Sequence, residues 1–197
     1  MKVVGITGGI GSGKTSVCKI IEELGYPVYT SDSAAKRLMQ SDQNLIDSIK
    51  LEFGESIYNG DMLDKPALAK VVFNSSEKLT NLNALVHPAV AKDFENWCQK
   101  QIANIVFKEA AILFETGGYK LLDETVLVDA PEQDRVNRVM TRDNVTSDVV
   151  LVRMKNQWPD EQKLPLADHV IKNYNGYLLL PQIMKLIENL EIMVPKP

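Results

Sequence analysis

The sequence is poor in the residues that build disulfide frameworks and zinc sites. Its 197 residues include only two cysteines, Cys18 and Cys98, which do not form a C-x-x-C pair. This scarcity argues against both kinds of site and fits a reducing compartment.

An excess of positive charge and long apolar runs are also missing. The formal net charge is −4 at pH 7, so nucleic acid and anionic membranes are poor default partners. No apolar run approaches the length of a membrane span, and the short apolar stretch at the N-terminus leads into a glycine-rich loop instead of a cleavage site. We therefore expect a cytoplasmic protein without a nucleic-acid or membrane partner, present as a monomer or a small homo-oligomer.

The most informative stretch that is present is a glycine-rich loop. Residues 2–7 form an apolar, β-branched run that predicts a strand, and the residues from Gly8 to Thr15 fit G-x-x-x-x-G-K-[ST]. Glycines let the backbone approach a polyanion, so successive N–H groups can surround phosphates at a helix N-terminus. Lys14 then offers a charge to the β and γ phosphates, and Thr15 offers a hydroxyl to Mg²⁺. A plain glycine-rich turn is the alternative, but the strand before the loop and the predicted helix 15–24 after it favour phosphate binding.

The chain after this loop predicts one α/β domain with a helical insertion. A second strand is predicted at 28–30, and from about residue 33 to residue 100 the pattern indicates helices and no strand. The helices predicted in this insertion cover 33–39, 43–53, 65–73 and 77–100. We interpret the insertion as the part of the chain that binds a second substrate.

The strand pattern then returns. Strands are predicted at 105–107, 125–128 and 169–171, helices at 131–142, 147–158 and 177–190, and a frayed end at 193–197. We predict a P-loop three-layer α/β sandwich with five parallel strands in the order 2-3-1-4-5, counted along the chain. Its core covers about 1–32, 101–131 and 166–197, the insertion about 33–100, and a lid about 132–165.

Asp32 follows the second predicted strand and allows two interpretations. It could cap the helix predicted to begin at Ser33, which is a common use of aspartate. It could also accept the proton of an attacking hydroxyl, because ligands of open parallel sheets bind beyond the carboxyl ends of the strands. One residue can do both, and the sequence leaves both open.

Three arginines fall on one face of a predicted helix. Arg135, Arg138 and Arg142 are spaced at i, i+3 and i+7. A solvated charged face is the usual meaning of such a run. In a chain of negative net charge, this stripe also fits a lid over a triphosphate, because arginine stabilises charge on phosphoryl oxygens. We favour the lid for Arg142 and Arg138 more than for Arg135.

Three further polar residues have both structural and functional interpretations. His87 precedes Pro88, which predicts extended geometry at a helix junction, and it is either structural or in contact with the second substrate. His169 begins a predicted strand and is interpreted as structural. Asp129 ends a predicted strand at the position of a Walker B carboxylate, where it could reach Mg²⁺ through water or simply form a turn.

Taken together, these motifs resemble those of the dephospho-coenzyme A kinase family over nearly the whole chain. The matching segments are 7–14, Asp32, 86–88, 112–115, Arg138, 142–143, 167–171 and Asn173. The resemblance implies Mg²⁺-dependent transfer of the ATP γ-phosphoryl group to the ribose 3′-hydroxyl of dephospho-coenzyme A, in a core like that of nucleoside monophosphate kinases.

Carried over residue by residue, the resemblance makes Asp32 the general base and Lys14 and Arg142 the residues that stabilise charge. The ATP-binding residues it predicts are Gly9, Gly11, Ser12, Gly13, Lys14, Thr15, Ser16, Arg138 and Asn173. The acceptor-binding residues are Asp32, Arg37, His87 and Leu113, and the metal contacts are Thr15 and, through water, Asp129. The chain departs from the family pattern at Thr30, where an acid is common, and at 111–112, where a proline-leucine pair is common.

Three rival functions remain at this point. A kinase for another small hydroxyl or nucleotide acceptor would have the same first strand and loop. A GTP-operated switch is disfavoured because the sequence has no N-K-x-D run and no D-x-x-G after the loop. A nucleotide-binding structural protein would need neither the carboxylate nor the arginine stripe.

Overall fold

The structure is a computed structural model and describes residues 1–60, 62–73 and 75–192. The strands are β1 (Lys2–Thr7), β2 (Val28–Thr30), β3 (Tyr58–Asn59), β4 (Met62–Leu63), β5 (Ile105–Glu109), β6 (Glu124–Asp129) and β7 (His169–Lys172). The α-helices are α1 (Lys14–Glu23), α2 (Ser31–Ser41), α3 (Gln43–Phe53), α4 (Lys65–Phe73), α5 (Ser76–Cys98), α6 (Glu132–Asp143), α7 (Ser147–Met154), α8 (Asp160–Lys163) and α9 (Leu179–Ile192). The predicted frayed end at 193–197 lies outside the described residues.

The chain folds into two compact units. One contains residues 1–30 and 101–197, and the other contains residues 31–100. The first unit holds a five-stranded parallel sheet in the order β2-β5-β1-β6-β7. The predicted order is therefore confirmed, since β5, β6 and β7 are the third, fourth and fifth strands of this sheet along the chain.

The sheet is buried on both faces, as continuous apolar strands predict. On one face, alternate residues such as Val4, Ile6 and Val126 pack against α1 and α9 in the main core cluster. On the other, a Cβ on Gly5 would come within 2.6 Å of Leu113 and Leu122. Because β1 lies between β5 and β6, the loop after β1 begins at the centre of the sheet.

The second unit contains the predicted helices and one element that the prediction missed. Strands β3 and β4 form a short antiparallel hairpin, so the expectation of no strand in the insertion was wrong. The dipeptide Gly60-Asp61 stands between the two strands in the sequence and is a common hairpin-turn pair, and Gly60 has φ +63°. The hairpin could have been predicted from that dipeptide.

The predicted helix junction at His87-Pro88 was also wrong. Helix α5 runs without interruption from Ser76 to Cys98 with Pro88 inside it, so His87 is helical and not extended. A proline inside a helix costs roughly 3 kcal/mol. Here the buried stripe of α5 continues across it, through Leu82, Val86, Val90 and Phe94, and burying each such side chain is worth about 1.5–3 kcal/mol. Packing therefore outweighs the local preference.

Boundaries elsewhere differ by a few residues. Helix α2 begins at Ser31, directly after β2. The helix predicted to reach Trp158 ends at Met154, and the separate helix α8 follows. Among the described residues, none of the helices has the length and apolar character needed to cross a membrane.

A charged cluster occupies the amino ends of three adjacent strands, at the edge opposite the glycine-rich loop. Lys2 Nζ lies 2.7 Å from Glu124 Oε1, and His169 Nε2 bonds to Glu124 Oε2. The Lys2 and Glu124 side chains are each only 14% exposed. Burial acts to raise the pKa of Glu124, but the hydrogen bonds and charges of Lys2 and His169 outweigh it and leave the pKa lowered. This arrangement agrees with the structural interpretation of His169.

We expect Glu124→Gln to lower the melting temperature by about 3–10 °C at neutral pH, because hydrogen bonds to a charged group are lost. A lowered pKa in the folded state means that the stabilisation is present above the ordinary glutamate pKa of about 4.3 and is lost as the pH falls through the folded value. The difference in melting temperature between wild type and variant should therefore become smaller below about pH 4. Calorimetry from pH 3 to pH 7 measures both melting temperatures, and Glu188→Gln, at an exposed position of α9, is the control. A difference that persists in acid would contradict this account.

Candidate active site

The phosphate loop joins β1 to α1 and has the geometry that its glycines allow. Gly11 and Gly13 have φ +80° and +97°, a region that residues with a Cβ rarely adopt. The Ser12 N–H donates to the Gly9 carbonyl at 3.0 Å, and Lys14 Nζ donates to the Gly8 carbonyl at 2.9 Å. The lysine therefore folds back over its own loop. Thr15 and Ser16 are exposed in the first turn of α1.

Two side chains from distant elements hold the loop from outside. Asn173, just after β7, donates from Nδ2 to the Ser12 carbonyl at 2.7 Å. Arg138 of α6 donates to the Gly11 and Ser12 carbonyls at 3.3 and 3.4 Å and to the Asn173 carbonyl at 2.7 Å. In a planar trans peptide the N–H points away from the carbonyl. Fixing the Ser12 carbonyl therefore fixes the direction of the Gly13 N–H.

Arg135 is part of the wall behind the loop and not an exposed lid residue. It is 8% exposed, and its Nη2 lies 3.2 Å from Asp160 Oδ2. A Cβ on Gly9 would come within 1.8 Å of Arg135 Nη1, and one on Gly11 would meet the Arg135 backbone. Burial raises the pKa of Asp160, and the charges of Arg135 and Lys163 oppose that rise. The structure thus separates Arg135 from the other two arginines of the stripe.

Arg142 is the exposed arginine of α6. Its side chain is 61% exposed and pairs with the adjacent Asp143 at 2.7 Å. Arg153 of α7 binds the same carboxylate at 2.7 Å, and the hydrogen bond from Arg142 is the main reason that the pKa of Asp143 falls to about 2. A shallow groove of about 430 Å³ is lined by Arg138, Arg142, Asn137 and Thr141. The two favoured arginines therefore face one groove.

Two carboxylates lie at the carboxyl ends of the strands that flank β1. Asp129 ends β6, as predicted, and its carbonyl accepts from the Asn173 N–H at 2.8 Å. Glu109 ends β5 and is paired in register with Ile6 of β1. Burial, followed by the charges of Glu109 and Glu22, raises the pKa of the Cys18 thiol to about 12 while Lys14 opposes the rise. The charges of Glu109 and Lys14 therefore both affect the pKa of Cys18. The sequence analysis assigned no role to Glu109.

Leu113 is placed in the loop that follows β5. Its side chain is 3% exposed and packs beneath β1, where a Cβ on Gly5 would come within 2.6 Å of it. Its contacts in the structure are therefore those of a core residue.

The second unit holds the other residues predicted to bind the acceptor. Asp32 is exposed in the first turn of α2, so it is not the cap of a helix that begins at Ser33, and that alternative was wrong as stated. Arg37 of α2 pairs with Asp93 of α5 at 2.6 Å. His87 is exposed on α5.

A matched pair of glycines tests the geometry of the loop. Gly13 and Gly25 have similar φ values, +97° and +90°, but a Cβ on Gly13 would lie 2.0 Å from Asn173 Nδ2, whereas a Cβ on Gly25 meets nothing within 4 Å. Both alanine variants should lose about 1–2 kcal/mol of stability from backbone strain. Only Gly13→Ala should also weaken ATP binding, by about tenfold or more, because one displaced loop hydrogen bond is worth about 1 kcal/mol or more. Titration calorimetry with ATP measures this; equal affinities would contradict the account.

Comparison of the sequence with known proteins gives a consistent result. The sequence profile of a family described as dephospho-CoA kinase matches residues 2–178. A dephospho-CoA kinase of Porphyromonas gingivalis is 38% identical over 199 residues, covering 100% of this chain and 98% of its own. One of Salinibacter ruber is 41% identical over 177 residues, covering 88% and 89%.

Solved structures agree with this result. A Thermus thermophilus protein superposes with a TM-score of 0.85 at 35% identity, covering 99% of this chain and 98% of its own. A dephospho-CoA kinase from Campylobacter jejuni gives 0.70 at 26% identity, covering 96% and 98%. A shikimate kinase from Acinetobacter baumannii gives 0.52 at 14% identity, covering 100% and 96%, which shows a shared fold alone. Since the family profile spans most of the chain and these relatives match nearly all of it, the chain belongs to the dephospho-CoA kinase family.

Proposed function

We propose that this protein transfers the γ-phosphoryl group of ATP to the ribose 3′-hydroxyl of dephospho-coenzyme A, giving coenzyme A and ADP in the last step of coenzyme A biosynthesis. The observation that carries the proposal is the phosphate loop, held in shape by Arg138 and Asn173, in a chain of this family. Phosphoryl transfer passes through a loose transition state, so positioned charges and N–H groups supply most of the catalysis.

The nucleotide phosphates bind at the phosphate loop. The backbone from Gly9 to Gly13 and the hydroxyl of Ser16 surround the polyphosphate, and Lys14 leaves the Gly8 carbonyl to bind the β and γ oxygens. Ser12 contributes through its backbone, because its hydroxyl is buried. Arg138 and Arg142 face a shared groove on α6, from which Arg142 stabilises charge on the transferring group. Asn173 orients the loop, and the segment after it is the candidate contact for adenine.

The residues near the loop fit Mg²⁺, the cofactor that kinases of this kind generally use. Mg²⁺ prefers oxygen ligands and keeps several waters. The groups that would hold it in this proposal are the exposed Thr15 hydroxyl and the carboxylates of Asp129 and Glu109, the last residues of the two strands that flank β1. Within the described residues, no group of three or more His, Cys, Asp or Glu side chains could hold a metal ion. When bound, the metal would neutralise charge on the phosphates.

The general base in this proposal is Asp32. It follows the carboxyl end of β2 in the chain and is exposed. The 3′-hydroxyl oxygen forms a bond to the γ-phosphorus, its proton passes to the Asp32 carboxylate, and the bond from the γ-phosphorus to ADP breaks.

The insertion from about 33 to 100 binds the acceptor in this proposal, with Arg37 and His87 as contacts, and the segment from about 132 to 165 forms a lid. Leu113 is left out of the proposed contacts because it is buried beneath β1. Arg37 of α2 forms an ion pair with Asp93 of α5 in that unit, which supports a fixed position for its side chain. The cytoplasmic location, the oligomeric state and the lack of a nucleic-acid partner stay predictions from the sequence.

An acceptor panel tests the proposed function. ATP consumption is measured with dephospho-coenzyme A, nucleoside monophosphates, shikimate and small alcohols as separate acceptors. We expect dephospho-coenzyme A to give the highest kcat/KM. Faster turnover with any other acceptor would favour the rival kinase, and ATP consumption independent of acceptor would reject a kinase altogether.

Asp32→Asn separates catalysis from helix stabilisation. The amide keeps the size of the side chain but cannot accept the proton, so kcat should fall by about 10²- to 10⁴-fold. The stability loss should stay below about 1 kcal/mol, the value of a carboxylate near a helix N-terminus. Asp42→Asn is the control, because Asp42 caps α3 and accepts from the Leu45 N–H. Near-native turnover of Asp32→Asn would exclude Asp32 as the base.

Arg142 can be compared with the arginine that shares its partner. Arg142→Ala should lower kcat by roughly 10³-fold, the loss seen when an arginine that stabilises phosphoryl charge is removed. Arg142→Lys should not restore the rate, because the planar fork is lost. Arg153→Ala removes the other partner of Asp143 and should keep kcat within a few fold. If the two alanine variants lost kcat equally, the ion pairs with Asp143 would account for the effect on the rate, and the charge of Arg142 on the phosphoryl group would not.

A further inference from the structure

Gln157 joins two loops that both lie at the carboxyl ends of strands. Its Oε1 accepts from the Ile10 N–H of the phosphate loop at 2.8 Å. Its Nε2 donates to the Ala111 carbonyl, in the loop after β5, at 3.3 Å. One carboxamide, 147 residues beyond Ile10 in the sequence, therefore links the phosphate loop to the neighbouring loop.

The segment that carries Gln157 is itself fixed by buried charges. The Trp158 N–H donates to Glu115 Oε1 at 2.9 Å, and Lys163 Nζ lies 3.1 Å from the same oxygen. The Lys163 side chain is fully buried and that of Glu115 is 11% exposed. A buried ion pair adds little to stability, because the desolvation penalty offsets the attraction. Its main physical effect is to fix where the segment lies.

Ile10 has a second anchor in the same part of the fold. Its side chain packs against the small core of Val136, Val139 and Val150, which joins α6 to α7. The arginine helix and the phosphate loop are therefore packed together at Ile10, and Gln157 fixes the backbone amide of the same residue.

We propose that Gln157 is a positioning residue for phosphoryl transfer, which holds the Ile10 amide and thereby the phosphate loop in register with the loop after β5. The inference rests on the proposed function for its rate effects, but the loop geometry it describes is independent of the acceptor. A displacement of about 1 Å in a positioned group can cost about 10²-fold in rate. Gln157 thus acts on turnover through the loop and does not itself touch substrate.

The test uses Gln157→Met, which keeps the length of the side chain and removes both polar atoms. Gln162→Met is the matched control, because Gln162 is exposed in the same segment. Three quantities are measured on the full chain: hydrogen exchange of the Ile10 amide by NMR, the dissociation constant for ATP, and kcat with dephospho-coenzyme A. The melting temperature of each variant is recorded beside them.

For Gln157→Met we expect the exchange rate of the Ile10 amide hydrogen and the ATP dissociation constant each to rise about fivefold, which is the change expected when one hydrogen bond is lost. We expect kcat to fall about 10- to 100-fold at an unchanged folded fraction, while Gln162→Met matches wild type. Gln157→Glu keeps an acceptor for the Ile10 N–H and should retain its exchange protection.

The proposal is overturned if Gln157→Met leaves kcat and ATP affinity unchanged, whether or not Ile10 exchange rises. It is also overturned if activity is lost only in proportion to the unfolded fraction, since Gln157 would then serve packing alone. If the wild type phosphorylates another acceptor or none, the proposed function fails separately. Ile10 exchange and ATP affinity then decide the role of Gln157.

Discussion

The hydrogen bonds to the Ser12 carbonyl are the interaction on which the site depends. A phosphate loop binds anions through N–H groups that point inward, and such groups point inward only while the carbonyls are held outward. Asn173 and Arg138 supply the donors that hold this carbonyl. The strand order brings them there, because β6 and β7 lie side by side next to β1, so that α6 and the end of β7 both reach the loop. The sheet topology is therefore what makes the anion site possible.

Charged side chains gather at both the carboxyl and the amino edge of the sheet. At the carboxyl edge, Lys14 and Arg138 bind carbonyls of the loop, although the net charge of the chain is −4. Carboxylates restrain most of the nearby basic groups: Asp160 pairs with Arg135, Asp143 with Arg142, and Glu115 with Lys163. At the amino edge, the cluster around Glu124 joins β1, β6 and β7. One edge is suited to binding polyanions and the other to stabilising the sheet.

Much of this arrangement could be predicted from the sequence because its signals are local. The strand at 2–7 has the predicted bounds and the helix after the loop begins one residue before its predicted start, since apolar β-branched runs and glycine spacing act over a few residues. Features set by tertiary packing could not be predicted. The buried stripe of α5 carries the helix through Pro88, and Arg135 shares its spacing with Arg138 but is buried behind the loop. Nothing near Gln157 in the sequence indicates its bond to Ile10. Glu109 could have been found, since an acid at the end of a strand beside β1 is a recognisable position.

The central claim is that this protein transfers the γ-phosphoryl group of ATP to a ribose hydroxyl of dephospho-coenzyme A. The most direct measurement follows the label from ATP carrying ³²P at the γ-phosphate when the wild-type protein is incubated with dephospho-coenzyme A and Mg²⁺, with digestion of the product to locate the label. The account predicts that the label appears in coenzyme A as the 3′-phosphate. Label found only in inorganic phosphate, or at any other position of the product, would contradict it.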